Sequence, residues 1–182
     1  MRRRFWRHGF KTINFTASLL LFLTAGRGSA QDFFAGVRGG GSFDSTQGQF
    51  YQTEAFAGWK IPWRWDFYSN WTLRPGLDTS AGWITGHDAD GFVGTAGPFA
   101  ELHFGKFPVV LEGGGSPTWL SHHVFGQTNF GEQFQFTSHI GLEWDVTKNF
   151  TVGCRFQHMS NAGLASPNPG VNFEMLSFRY NF

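Results

Sequence analysis

Apolar and polar residues alternate with a period of two along much of this chain, most clearly towards its C-terminus. Phe134, Phe136, Ile140, Leu142 and Trp144 share one parity, and Gln133, Gln135, Thr137, His139, Gly141 and Glu143 share the other. Phe150, Val152, Cys154 and Phe156 then alternate with Thr151, Gly153, Arg155 and Gln157. In the last stretch Leu176, Phe178, Tyr180 and Phe182 alternate with Ser177, Arg179 and Asn181. Successive side chains of a strand point to opposite faces, so the pattern predicts two-faced strands. Eight such segments stand between turn residues: Asp32–Phe43, Gln49–Ile61, Trp71–Ile84, Gly91–Phe104, Pro108–Leu120, Glu132–Val146, Asn149–Ser160 and Val171–Phe182. Each has about the length of a tilted membrane strand, ~9–11 residues plus rims.

Two architectures share this pattern. A soluble β-sandwich turns its apolar parity inward, whereas a transmembrane barrel turns it towards lipid and keeps the polar parity in the lumen. The connections favour the barrel. Gly105–Phe107 and Asp145–Lys148 are tight, while Ser121–Gly131 and Asn161–Gly170 are longer, as expected for short inner turns and long outer loops. Pro62–Asn70 is long for an inner turn. The chain also ends on an aromatic strand. The predicted fold is all-β, an eight-stranded antiparallel transmembrane β-barrel over residues 31–182.

The first thirty residues read differently. Arg2, Arg3, Arg4, Arg7 and Lys11 precede a mainly apolar stretch from Ile13 to Ala25, and Gly28-Ser29-Ala30 supplies small residues for cleavage. That order predicts a secretory signal peptide over residues 1–30, with an apolar stretch too short for a spanning helix of roughly 20 residues. Cleavage after Ala30 leaves 152 of the 182 residues, with eight Lys+Arg against 13 Asp+Glu, a net charge of −5. A basic nucleic-acid surface is therefore not expected. The single Cys154 makes no internal disulfide, so another device must stabilise a small exported domain. A closed hydrogen-bonded barrel in lipid is one.

Chemistry gathers near the last outer loop. His158 and Ser160 share the lipid-facing parity of Phe150 to Phe156, where polar groups are costly unless they lie near the interface or serve a function. Two residues apart on a strand, their Cα atoms are about 6.6 Å apart, within reach of an imidazole for a serine oxygen. A hydroxyl beside a base is the minimum for nucleophilic catalysis, and a third group should orient the base. Asn172 and Glu174 lie on the same face of the next strand. By themselves these residues also fit polar positions at a membrane interface.

The wider motif is more particular. His158-Met159-Ser160-Asn161-Ala162-Gly163, then Pro167-Asn168-Pro169-Gly170 and a terminal aromatic strand, closely resembles the lipid A deacylase family, the PagL-type 3-O-deacylases often labelled acyloxyacyl hydrolases. The specific resemblance covers roughly the last thirty residues. It implies an outer-membrane barrel that hydrolyses the ester-linked 3-hydroxyacyl chain at the 3-position of lipid A. Ser160 matches the nucleophile, His158 the general base, and Asn161 with the backbone of Gly163 the oxyanion stabilisers. Asn172 stands where the family carries an acidic Glu. Either Asn172 orients His158 through its amide oxygen or Glu174 supplies the carboxylate. No cofactor or metal is required. The implied partners are lipid A and the outer membrane, with no nucleic acid, and a homo-oligomer is left open. The rival reading is a non-enzymatic small barrel for anchoring or surface adhesion.

Other signals are weaker. His122-His123 and the His87, Asp88, Asp90 group read as solvated outer loops. Gly39-Gly40-Gly41 and Gly113-Gly114-Gly115 precede no helix and read as bulges or strand bends. Cys154 reads as a lipid-facing hydrophobe.

Overall fold

The computed structural model describes residues 32–43 and 48–182, with Ser69 by its backbone only. The predicted signal peptide lies outside the described residues. The strands are β1 Phe33–Ser42, β2 Phe50–Lys60, β3 Trp65–Phe67, β4 Trp71–Gly86, β5 Ala89–Phe104, β6 Val109–Leu120, β7 Val124–Phe125, β8 Thr128–Asn129, β9 Phe134–Asp145, β10 Phe150–Ser160 and β11 Val171–Asn181. Eight of them pair antiparallel in the order β2-β1-β11-β10-β9-β6-β5-β4, and β2 pairs with β4 to close the ring. Closure removes the edges of the eight-stranded wall and pairs most of its backbone groups without water, as lipid requires.

Side-chain parity follows the alternation in the sequence. Ile140, Leu142, Trp144, Phe156, Leu176 and Phe178 face out, while Gln135, Thr137, Glu143, Arg155, Gln157 and Arg179 are buried in the lumen. Aromatic pairs mark both rims. Trp71–Phe104, Phe150–Tyr180 and Tyr180–Phe182 lie at the end carrying the tight turns. Trp83–Phe92 and Phe134–Phe136 lie towards the other end. Aromatic belts at two levels bracket the apolar band of a membrane barrel.

The structure departs from the pattern in four places. The expected outer loop at His87 and Asp88 is a two-residue hairpin turn, with φ of 51° and 60° at these residues, and β4 and β5 run almost up to it. His and Asp tolerate this left-handed region better than most side chains. The long inner connection holds β3 and a 3-10 turn, and β3 folds back on the start of β4. The loop after β6 is not simply solvated. It forms the small β7–β8 hairpin, stacks His122 on Phe125 at 4.3 Å, and buries Phe125 and Phe130 in the mouth. The first glycine triplet does not mark a bulge. The β1 ladders run unbroken through Gly39–Gly41, where a Cβ on Gly40 would sit 1.8 Å from the Glu174 carbonyl oxygen. Gly40 thus serves close strand approach rather than a bend.

The lumen is filled at every level. Phe34, Phe56 and Phe99 pack edge to face at its inner end. Arg38 pairs with Glu54 and Asp78, and Arg179 lies 3.0 Å from Glu101 and 2.7 Å from Glu143, the latter a close ion pair rather than an aligned hydrogen bond. Above this layer the polar expectation fails. Phe50, Ile84, Val93, Leu120, Phe125, Phe130, Met159, Val171, Phe173 and Met175 form an apolar core inside the outer half. The void among Phe34, Arg38, Phe56 and Arg155 holds about 10 Å³, about one water. Reconstituted into planar bilayers, the protein is expected to give no steady conductance, because side chains pack the lumen. Sustained ion currents would contradict that packing.

Candidate active site

Strands β10 and β11 form a hairpin around the loop 161–170, at the end opposite the tight turns. Their register sets His158 directly across from Asn172 and Met159 across from Val171. His158 and Asn172 point out of the barrel, and Ser160 ends β10 on the same outward parity. The residues between them point in, and Met159, Val171 and Phe173 are fully buried. Each outward polar group therefore sits on a strand clamped from behind by the apolar core. Packed interiors resist displacement, so this clamp holds the outward groups in place.

The histidine is oriented by its cross-strand neighbour. His158 Nδ1–H donates to Asn172 Oδ1 at 2.8 Å. An amide oxygen only accepts, so the proton sits on Nδ1 and the lone pair on Nε2. The far edge of the ring lies over Gly170. A Cβ there would meet His158 Cε1 at 3.0 Å and Nε2 at 3.6 Å, and Gly170 also holds φ of 65°. Gly170 comes one residue beyond the Met159–Val171 pair, which is the level of Ser160. The imidazole thus leans from Asn172 towards the outer rim, with its basic nitrogen at serine height. Ser160 Oγ makes no hydrogen bond to a described residue, and the final approach of serine to Nε2 is left for substrate-bound geometry. Glu174 lies across from Phe156, one pleat repeat further into the membrane.

The other two sequence candidates lie in the loop. Asn161 is buried, and the two hydrogens of its Nδ2 are shared among the carbonyl oxygens of Phe130 (2.9 Å), Ala165 (3.0 Å) and Pro167 (3.0 Å). Its Oδ1 accepts the Gly163 N–H at 2.9 Å. Both groups are engaged in binding the loop to itself and to Phe130 rather than directed at solvent. Alternation and spacing do not single out Asn168. Its Oδ1 accepts the N–H of Asn161, the residue after Ser160, at 3.0 Å, and its NH₂ has no partner among the described residues. The Asn-Pro-Gly stretch was a usable signal, because an Asn flanked by two prolines is pre-set for a turn.

Truncating Asn161 to Ala leaves four backbone groups at a buried position without their side-chain partner. The expected result is a proteolytically labile 161–170 loop and at least about a hundredfold loss of activity, since each unsatisfied buried partner costs about 1–3 kcal/mol. Limited proteolysis beside an activity assay checks this, and an intact loop with unchanged turnover would refute it.

Among the described residues one group has the spacing of metal ligands: Glu101, Glu112 and Glu143 in the lumen. The Arg179 guanidinium reaches all three, at 3.0, 3.8 and 2.7 Å, and supplies the positive charge there. Cys154 is exposed on the outer wall between Leu142 and Leu176, remote from the loop.

Against known proteins, residues 51–181 match the family described as Lipid A 3-O-deacylase (PagL). The chain belongs to that family. Lipid A deacylase PagL of Bordetella bronchiseptica is 34% identical over 125 residues, which cover 66% of this chain and 70% of that one. The crystal structure of the outer membrane enzyme PagL superposes with a TM-score of 0.70 at 24% identity, covering 81% of this chain and 99% of that chain. Neisserial surface protein A superposes with a TM-score of 0.53 at 16% identity, over 82% and 96% of the two chains, a likeness of fold alone. Membership of this family together with the closed barrel places the chain in the outer membrane.

Proposed function

We propose that this member of the lipid A 3-O-deacylase family removes the 3-hydroxyacyl chain from the 3-position of lipid A by serine–histidine catalysis on the lipid-facing rim. One observation carries the reading. An imidazole held by Asn172 in the tautomer that frees Nε2 lies two residues before Ser160 on the same outward face of β10.

The chemistry follows from those positions. His158 Nε2 takes the hydroxyl proton of Ser160 as Oγ bonds to the ester carbonyl carbon. The tetrahedral oxyanion then collapses, the bond to the sugar oxygen breaks, and His158 returns the proton to that oxygen. Water, deprotonated by the same nitrogen, attacks the acyl-serine; the bond to Oγ breaks, His158 returns the proton to Ser160 Oγ, and the 3-hydroxy fatty acid leaves. A well-placed oxyanion donor contributes roughly 3–4 kcal/mol in a known case. In this reading Asn168 offers its NH₂ to the oxyanion, while Asn161 and the Gly163 N–H hold the turn that presents it. The contribution of Asn161 and Gly163 is then supporting rather than direct.

The test uses purified barrel in detergent with lipid A bearing an intact 3-O-acyl chain. Mass spectrometry should show loss of one 3-hydroxyacyl group and the matching free acid. Intact lipid A after prolonged incubation with folded protein would reject the reading in favour of a non-enzymatic barrel.

A further inference from the structure

The fixed charges of this barrel are sorted by level. Beyond residue 30 the chain has eight Lys and Arg residues, and each has a place in the fold. Arg38, Lys60, Arg155 and Arg179 lie in the lumen among Glu54, Asp78, Glu101, Glu112 and Glu143. Arg64, Arg74, Lys106 and Lys148 lie at the end of the tight turns, with Asp32, Asp66 and Asp145. Lumen and inner end together are balanced, eight cations against eight carboxylates. The outer end has no Lys or Arg among the described residues. Its carboxylates there are Asp88, Asp90, Glu132 and Glu174, and none of them has an ion pair among the described residues. The net charge of −5 over residues 31–182 therefore rests on these four and on Asp44, which lies outside the described residues.

Two of the four flank the hairpin that carries His158 and Ser160. Glu132 follows Gly131, where a Cβ would sit 2.3 Å from the Pro167 carbonyl oxygen and 2.7 Å from Asn161 Nδ2. The backbone there packs directly on the 161–170 loop. Glu132 Oε1 is buried without a hydrogen-bond partner among the described residues. Glu174 is exposed on the outer wall, one pleat repeat along β11 from Asn172. Asp88 and Asp90 are exposed at the β4–β5 turn, where Asp90 Oδ1 accepts the Thr85 hydroxyl at 2.7 Å.

The lipid A headgroup is a glucosamine disaccharide with a phosphate at each end. Proteins grip anionic lipid with clusters of Lys and Arg, and this rim presents the opposite sign. Like charges set face to face exclude a partner. We infer that the outer rim selects lipid A by headgroup charge, disfavouring the bare bisphosphate and accepting lipid A whose phosphates are absent or neutralised; the inference rests on the deacylase reading. The scissile ester is neutral, so the repulsion acts on docking and appears in KM rather than kcat. Screening acts within about 8 Å at physiological ionic strength and about 30 Å at 0.01 M, so discrimination is greatest in dilute buffer.

The test compares two lipid A substrates with the same acyl chains, one bisphosphorylated and one with both phosphates removed. Purified protein is assayed in non-ionic detergent with EDTA at about 0.01 M ionic strength. The expected result is a KM about fivefold lower for the dephosphorylated substrate, with kcat within about twofold. Millimolar Mg²⁺, or NaCl at about 0.3 M, should bring the two KM values within about twofold of each other. Glu132→Lys should lower KM for the bisphosphate about threefold and leave the dephosphorylated substrate within about twofold. Asp90→Lys should act in the same direction by less, and it stands as the readout if Glu132→Lys does not fold. Equal KM values in dilute buffer, a preference for the bisphosphate, or a gap that survives salt and Mg²⁺ overturns the charge filter. Failure of wild type on both substrates overturns the deacylase reading instead.

Discussion

Ser160→Ala is expected to end release of the 3-hydroxy fatty acid, with turnover falling by about 10⁴-fold or more, while the barrel folds unchanged. The side chain makes no hydrogen bond to a described residue and lies at the end of β10, so its loss removes chemistry and leaves packing intact. His158→Ala should cost about as much. The double variant should cost little beyond either single one, because nucleophile and base act as a unit. Heat-modifiable mobility on gels reports folding, and mass spectrometry of lipid A reports activity. A folded Ser160→Ala protein that still yields the free acid at the wild-type rate would remove the serine from the mechanism.

The second large effect concerns Asn172 and has two directions. Asn172→Leu should lower kcat about a hundredfold, because the imidazole loses the acceptor that fixes its tautomer and tilt. Asn172→Glu should raise kcat by about fivefold to thirtyfold. The present amide oxygen sets the correct tautomer, so the deficit relative to a carboxylate is the stabilisation of the imidazolium alone. A charge-assisted hydrogen bond exceeds a neutral one by about 1–2 kcal/mol. Glu174→Gln is the control and should stay within about threefold of wild type, since Glu174 faces Phe156 across the strands. If Glu174→Gln collapses activity and Asn172→Leu does not, the orienting residue is Glu174.

Much of this architecture is legible in the sequence. Outward Phe134 to Trp144 and Phe150 to Phe156 alternate without interruption because lipid and lumen impose opposite demands on successive residues. That parity alone turns His158 and Ser160 towards lipid. The apolar core of the outer lumen was not legible. Met159, Val171, Phe173 and Met175 are apolar residues on the lumen parity, and nothing local says that the β7–β8 hairpin caps the mouth with Phe125 and Phe130. The role of Asn161 was hidden for a related reason. Its three carbonyl partners belong to Phe130, Ala165 and Pro167, and only folding brings Phe130 to the loop. The choice between Asn172 and Glu174 as neighbour of His158 is a question of register, which alternation cannot fix to within one pleat repeat.

The core behind the hairpin ties catalysis to assembly. Met159, Val171 and Phe173 share one cluster with Phe50 of β2, Ile84 of β4 and Val93 of β5, across the ring from β10 and β11. Those partners come within reach only when β11 zips against β1. Until then the hairpin carrying histidine, serine and asparagine has nothing to brace it. On the serine–histidine reading proposed above, activity is therefore expected to appear only once β11 has paired with β1 and the cluster behind the hairpin has closed.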